Sequence, residues 1–394
     1  MSETIEVKNQ RDMKKILLLI NTMMLAIGAG GGPLIMRLYY IHGGKRIWLS
    51  SLLLTVGFPI TLIPITISYL RSRRHHHRSL SNMDSPKPKM FTATPVLLLA
   101  FAVIGVICGV SNYLYAYGVA RLPVSTATLV MGTQLAFTAI FAFVLVKQKF
   151  TFNSVNAIVL LIFGAGILAQ HAGSDRPAGE STKQYIKGFV MTLVASALSG
   201  LAFPLVELMY KRTLSITYSL VMELQMVLGF SATIFSLIGM IIHNDFKESS
   251  QVIHGPTIIA NGTEIPYLYF LSYPIKNVIS REAREFGLGE AKYYVILVGC
   301  AILWQFYLMG AIGIVFCASS LFSGVMVSVM LPITEVLAVI FYKESFEATK
   351  GISLVLSLWG FVSYFYGEFI KAKKIRKKLI SETELTLDHT IPNP

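Results

Sequence analysis

The sequence predicts an all-α polytopic membrane protein, and three features carry that prediction. Between Lys14 and Lys371 the chain returns repeatedly to apolar runs of about 20 residues, the length of helix that crosses a hydrocarbon core about 30 Å thick. Hydrophobic residues make up 54% of the chain and charged residues only 14%, whereas soluble domains carry about 25% charged residues. The third feature is a weak similarity between the two halves of the chain.

The apolar runs predict ten transmembrane helices. A helix in a soluble core rarely stays apolar on every face over such a length. In chain order the predicted spans are 15–37, 47–70, 94–120, 123–146, 153–171, 186–210, 215–242, 292–316, 318–342 and 350–369. Cys108, Cys300 and Cys317 all lie within spans, so no disulfide framework is predicted.

The basic residues predict that both termini are cytoplasmic. Most of the 34 Lys and Arg residues fall in the two tails and in the loops on the same side, which is the positive-inside pattern. Arg37, Lys45 and Arg46 are an exception, because this topology places them outside. Membrane orientation thus explains the net charge of +13, and no nucleic-acid partner is predicted.

The second half of the chain repeats the first. The stretch from Leu135 to Phe150 aligns without a gap on the stretch from Leu331 to Phe346, and Pro33 with Tyr39 matches Pro204 with Tyr210. Five spans is an odd number, so the second copy would enter the membrane the other way up, which is the geometry of alternating access.

The predicted organisation follows from the repeat and the tails. It is a cytoplasmic N-tail (1–13), a first five-helix repeat (14–171), a linker (172–183), a second five-helix repeat (184–370) with an extra loop at about 249–280, and a cytoplasmic C-tail (371–394).

Long ordered motifs resemble those of the plant purine permease family, a branch of the drug/metabolite transporter superfamily. The resemblance covers nearly all of the chain apart from the tails, the 71–90 loop and roughly 249–280. The motifs are GGPLIMRLYYIHGGKRIW (31–48), YGVARLPVSTATLVMGTQLAFTA (117–139), REAREFGLGEAKYYV (281–295), CASSLFSGVMVSVMLP (317–332) and GISLVLSLWGFVSYFYGE (351–368).

This resemblance implies the drug/metabolite transporter fold and proton-coupled uptake of purine bases, cytokinins or related nitrogen heterocycles. The implied partners are a small-molecule heterocycle, protons and the lipid bilayer, with no cofactor, most simply at the plasma membrane; monomer and homodimer both stay open. The extra loop departs from the family pattern, and Asn261 in it forms a glycosylation sequon that could equally be unused.

Three carboxylates within the spans are candidates for proton coupling. Glu335 lies one turn after Pro332, whose missing N–H can open the helix locally. A carboxylate inside the membrane is costly while charged, so proton uptake is a reasonable step; the alternative is an acid that only fixes packing. Glu207 could instead pair with Lys211 at the rim, and Glu223 could serve an interhelical hydrogen bond.

Amide and aromatic side chains of spans 3, 4 and 8 form a candidate substrate site. A planar heterocycle needs a ring to stack on and a few amides for its nitrogens. Amide side chains within membrane spans should face protein or a wet cavity, because they are costly in lipid. For any single aromatic residue, core packing is the simpler alternative. The candidates are Asn112, Tyr115, Thr133, Gln134, Trp304 and Gln305.

Glycine and proline residues inside spans are candidate hinges, namely Gly30, Gly31, Gly32, Pro33, Pro204 and Pro332. The glycine run does not indicate a phosphate-binding loop, because no strand precedes it and the lysine of such loops is absent. No metal site is predicted either, since His75, His76 and His77 lie in a basic segment typical of a solvated linker.

Two rival functions stay open. A carrier of the same fold could transport alkaloids or vitamins as a facilitator or exchanger, without proton coupling. A membrane-embedded transferase would need an intramembrane His-Asp or paired-aspartate motif, and the ten spans contain no aspartate, so an enzyme is not predicted.

Overall fold

The structure, a computed structural model, describes residues 2–78, 90–148, 151–170, 181–213, 216–242, 279–343 and 348–388. All regular structure in these ranges is helical. Most of the predicted extra loop, most of the linker and Asn261 lie outside them. The helices are α1 (Ser2–Ile41), α2 (Ile47–Leu53), a 3₁₀ turn (Phe58–Thr61), α3 (Leu62–Arg78), α4 (Pro95–Val119), α5 (Val124–Gly132), α6 (Gln134–Val146), α7 (Phe152–Gln170), α8 (Thr182–Arg212), α9 (Tyr218–Ile242), α10 (279–285), α11 (Glu290–Cys317), α12 (Ser320–Tyr342) and α13 (Ala348–Asp388).

The described helices confirm a multi-pass, all-α membrane protein. Nine helical segments within the described ranges are long and apolar enough to cross a membrane, and they coincide with nine predicted spans. The fifth predicted span corresponds to α7, which has 19 residues. The count of ten and the inverted repeats are compatible with this arrangement and stay predictions.

Helix pairing is compatible with two five-span copies. The first span (α1) packs on the eighth (α11), and the third span (α4) packs on the sixth (α8). Advancing each helix by five spans exchanges these two pairs. The fifth and tenth spans, α7 and α13, pack on each other and would exchange places under the same operation.

Glycines allow α1 and α11 to approach closely. A Cβ atom at Gly28 would overlap the main-chain nitrogen of Tyr307, and one at Gly310 would overlap that of Leu25. The two main chains are therefore in contact, as small residues permit between membrane helices. A Cβ atom at Gly32 would lie 3.0 Å from the Trp304 ring, so this glycine makes room for the indole.

Two spans are interrupted within the membrane. The second span stops being α-helical after Leu53, passes through the 3₁₀ turn that contains Pro59, and resumes at Leu62. The hydrogen bonding of the fourth span is interrupted at Thr133, between α5 and α6, although the main chain keeps helical dihedral angles there. Main chain without helical hydrogen bonds is tolerated at membrane depth where it is buried in protein or lines a cavity.

Two candidate hinge prolines do not interrupt their helices. Pro33 lies within α1 and Pro204 within α8, and both helices are continuous. The backbone at Pro332 is also helical, while its side chain lies outside the described part of the structure. The hinge roles of these residues and of Gly30, Gly31 and Gly32 stay predictions.

Candidate functional site

A chamber lies where the broken second and fourth spans meet α1, α4, α8, α11 and α12. It has two adjoining parts. Six residues line both parts and so join them into one chamber: Leu54, Asn112, Gln134, Ser199, Trp304 and Tyr307.

Every described residue that lines the chamber is uncharged. The remaining lining residues are apolar or carry hydroxyl or thiol groups, such as Pro33, Ser111, Thr128 and Cys108. An ionised ligand would lose its hydration there without gaining an opposite charge, which is costly in a low-dielectric site. The chamber is thus suited to a neutral molecule with a few hydrogen-bonding atoms.

Three aromatic rings form one wall. The Trp304 ring stands edge-on to Tyr115, with centroids 5.5 Å apart, and edge-on to Tyr307, with centroids 5.4 Å apart. Trp304 and Tyr307 are one turn apart on α11, so both face the same side of the helix. Such an array offers flat apolar surfaces to a planar ligand.

Two buried N–H groups at this wall have no hydrogen-bond partner in the described structure: Nε2 of Gln134 and Nε1 of Trp304. The Tyr307 hydroxyl lies beside the Gln134 amide, and the Cys300 thiol lies beside the indole, but neither contact reaches full hydrogen-bond geometry. Gln134 is only 2% exposed. Because buried polar groups are almost always paired, unpaired donors around a cavity indicate a ligand or water.

Four of the six predicted substrate residues line the chamber, namely Asn112, Tyr115, Gln134 and Trp304. Thr133 instead donates to the Val130 carbonyl at 2.8 Å and lies 2.7 Å from the Ser196 hydroxyl. These contacts join the fourth span at Thr133 to α8.

Gln305 is the sixth predicted residue, and it does not line the chamber. It is fully buried against the broken second span, where a Cβ atom at Gly57 would lie 2.8 Å from that of Gln305. Both amide atoms lack a hydrogen-bond partner in this part of the structure.

The structure adds lining residues that the sequence analysis did not select. Ser111 donates to the Ala195 carbonyl at 2.8 Å and lies 2.8 Å from the Ser199 hydroxyl. Serine and threonine give a weak signal in sequence, because they often bond to helix carbonyls with no functional role. Tyr307 could have been found, because it lies one turn after Trp304.

Glu223 and Glu207 tie helix ends together outside the chamber. Glu223 is 1% exposed and accepts hydrogen bonds from the main-chain nitrogens of Thr92 at 2.7 Å and Ala93 at 3.0 Å, just before α4. Glu207 accepts from the main-chain nitrogen of Ser320, the first residue of α12, at 2.7 Å. It also pairs with Nζ of Lys211 at 2.8 Å.

Glu335 lies in α12, four residues after Leu331, which lines the chamber. The position of its side chain lies outside the described structure. Its role as a proton site therefore stays a prediction.

A third buried carboxylate, Glu282 of α10, binds the C-terminal end of α1 and the loop that follows it. Its carboxylate accepts from the hydroxyl of Tyr39 at 2.7 Å and of Tyr293 at 3.2 Å, and from the Lys45 main-chain nitrogen at 3.0 Å. It also pairs with the Arg46 guanidinium at 3.3 Å. This ion pair compensates one of the basic residues that the predicted topology places outside.

Among the described side chains, no group of three or more His, Cys, Asp or Glu residues is arranged to hold a metal ion.

Comparisons with known proteins identify the family of the chain. Residues 16–374 match the family model described as purine nucleobase transmembrane transport. The chain is 47% identical to purine permease 3 of Arabidopsis thaliana, over 97% of this chain and 99% of that protein. It is 48% identical to purine permease 2 of the same plant, over 95% and 97% of the two chains. It is 30% identical to purine permease 21, over 91% and 82%.

Proposed function

The chain belongs to the purine nucleobase transport family, and we propose that it is a secondary active carrier that couples uptake of neutral purine bases to a proton gradient. It is an integral, multi-pass membrane transporter of purine nucleobases and not an enzyme. The proposal extends the substrates to N-substituted relatives of adenine, such as cytokinins. It also includes the plasma membrane as the site of transport and cytoplasmic positions for both termini.

The uncharged chamber with its aromatic wall is the observation that carries the assignment of neutral purine bases as substrates. A neutral purine would stack on the Trp304 ring, where apolar contact replaces water. The unpaired N–H group of Gln134 would donate to a ring nitrogen, which otherwise loses its hydrogen bond on leaving water. The Asn112 amide, which lines both parts of the chamber, could donate and accept.

Proton coupling is assigned first to Glu335. Glu207 and Glu223 already accept hydrogen bonds from main-chain nitrogens at helix starts, so their carboxylates have a structural task. Glu335 lies close in sequence to a chamber residue, and a change in its charge would be felt by a bound base. Glu207 and Glu223 are the second choice as proton sites, because proton uptake there would weaken their hydrogen bonds to the main chain at the start of α12 and α4.

A facilitator or exchanger without proton coupling is the second candidate. It is favoured by one observation: no described residue that lines the chamber can be ionised as an acid at neutral pH.

Uptake into proteoliposomes separates the two candidates. The purified protein is given labelled adenine with and without an imposed pH gradient, and a protonophore is then added. Proton coupling predicts accumulation above the external concentration that the protonophore abolishes. Equilibration at the same level with and without the gradient would contradict coupling and support the facilitator.

Glu335→Gln tests the proton site. The variant should lose uphill accumulation and keep exchange of labelled for unlabelled adenine, because the base site is untouched. Glu290→Gln is the matched control, since Glu290 lies in the first turn of α11 and outside the chamber. Full accumulation by Glu335→Gln would remove this residue from the mechanism.

A further inference from the structure

The break in the second span leaves a main-chain carbonyl unpaired beside the chamber. In a continuous helix the N–H of Phe58 would bond to the carbonyl of Leu54. Here Phe58 donates instead to the Thr55 carbonyl at 3.0 Å, and no described donor reaches the Leu54 carbonyl. Leu54 is 4% exposed and lines both parts of the chamber.

The packing of neighbouring helices holds the break in place. Pro59 has no N–H, so it cannot continue the helical bonding pattern. Gly57 is pressed against α11, where a Cβ atom would lie 2.5 Å from the Ala301 carbonyl oxygen. Phe58 is pressed against α9, where it fills the space that a side chain at Gly229 would need. Packing on both sides therefore keeps the Leu54 carbonyl without a main-chain partner.

An unpaired carbonyl buried within a membrane is costly, and native proteins satisfy such groups with protein, water or ligand. Interrupted spans supply main-chain carbonyls to the substrate and ion sites of other carriers. In this chamber the carbonyl is matched by donors that also lack partners, on Gln134 and Trp304. The unsatisfied atoms around the chamber thus include both acceptors and donors.

We propose that the Leu54 carbonyl is a substrate-binding group that accepts a hydrogen bond from the exocyclic amino group of the base. This inference rests on the proposed function and deepens it, because it states which bases the chamber selects. The amide donor of Gln134 recognises a ring nitrogen, and the carbonyl recognises a hydrogen of the exocyclic amino group. The preferred ligands are neutral planar heterocycles that carry an exocyclic amino N–H beside acceptor nitrogens.

The test compares adenine with 6-methylpurine, which has nearly the same shape but a methyl group in place of the amino group. Equilibrium binding to the purified, detergent-solubilised protein is measured for both. Wild type should bind adenine about 10-fold more tightly, because 6-methylpurine leaves a buried acceptor unpaired. Equal affinities would overturn the proposal, and no adenine binding at all would overturn the proposed function itself.

Two variants then assign the preference to the carbonyl. Pro59→Ala supplies an N–H that can bond to the Thr55 carbonyl, which frees the N–H of Phe58 to bond to the Leu54 carbonyl as in a continuous helix. It should bring the adenine preference to about 2-fold, because adenine binding weakens while 6-methylpurine binding does not. Pro64→Ala is the matched control, since Pro64 lies in the first turn of α3 beyond the break, and it should keep the full preference.

Gln134→Met separates the carbonyl from the nearest side chain that could read the same amino group. Both ligands should bind more weakly to this variant, and the preference for adenine should persist. Loss of the preference in Gln134→Met, or its full retention in a folded Pro59→Ala, would overturn the proposal.

Discussion

Replacing Gln134 by methionine should weaken binding of the base and stabilise the empty protein. Gln134 is 2% exposed, and its Nε2 atom has no hydrogen-bond partner in the described structure. An unpaired buried donor costs about 1–3 kcal/mol, which the unbranched methionine side chain would remove at similar volume. The ligand would lose a hydrogen bond in a dry site, so affinity should fall about 10- to 100-fold.

Gln225 provides a matched control for this change. It is a fully buried glutamine of α9 whose two amide atoms both lack partners, and it does not line the chamber. Gln225→Met should therefore stabilise the protein at least as much, by about 2 kcal/mol, and change adenine affinity by less than about 2-fold.

Two measurements on the same samples decide the outcome. Calorimetric titration gives the adenine affinity in detergent, and thermal unfolding without ligand gives the stability. Weaker binding with a raised unfolding midpoint is the result expected for Gln134→Met. Unchanged affinity in a folded variant would show that this amide does not contact the base, and equal losses in both variants would show that the effect is not specific to the chamber.

Two further predictions concern the fold around the chamber. Glu282→Gln should cost about 3 kcal/mol of unfolding free energy, because Arg46 is only 16% exposed and would lose its charged partner. Glu285→Gln, in an exposed pair, should cost less than about 0.5 kcal/mol. Equal unfolding curves for the two variants would contradict this. Gly28→Ala should greatly reduce the yield of folded protein in size-exclusion chromatography, because the new Cβ atom would overlap the main chain of α11. Gly30→Ala should be neutral or slightly stabilising, because nothing lies within 4 Å of its Cβ position. Equal yields would show that α1 and α11 can separate.

The spans could be predicted from sequence because their apolar length is a local property. Asn112 and Gln134 could also be identified, because amides are costly in lipid and must face protein or a cavity. Trp304 and Gln305 show where this reasoning stops. Neighbouring residues on a helix point about 100° apart, so only one of them faces the chamber, and composition does not say which.

The ties made by the carboxylates were not predictable in detail. Glu207 and Glu223 could be recognised as costly inside a membrane, and Lys211 could be named as a partner of Glu207. Their other partners, Ser320 and the Thr92 segment, are more than a hundred residues away. Only the packing of whole helices brings these groups together. The break of the second span did leave a local signal, Gly57 and Pro59 within one apolar run, which the sequence analysis passed over.

The central claim is that a neutral purine binds in the uncharged chamber against the aromatic wall. An experimental structure with adenine bound tests it most directly. The base should stack on Trp304, with a ring nitrogen within about 3.2 Å of the Gln134 amide nitrogen. A base bound elsewhere, or a chamber that stays empty at saturating adenine, would contradict the account.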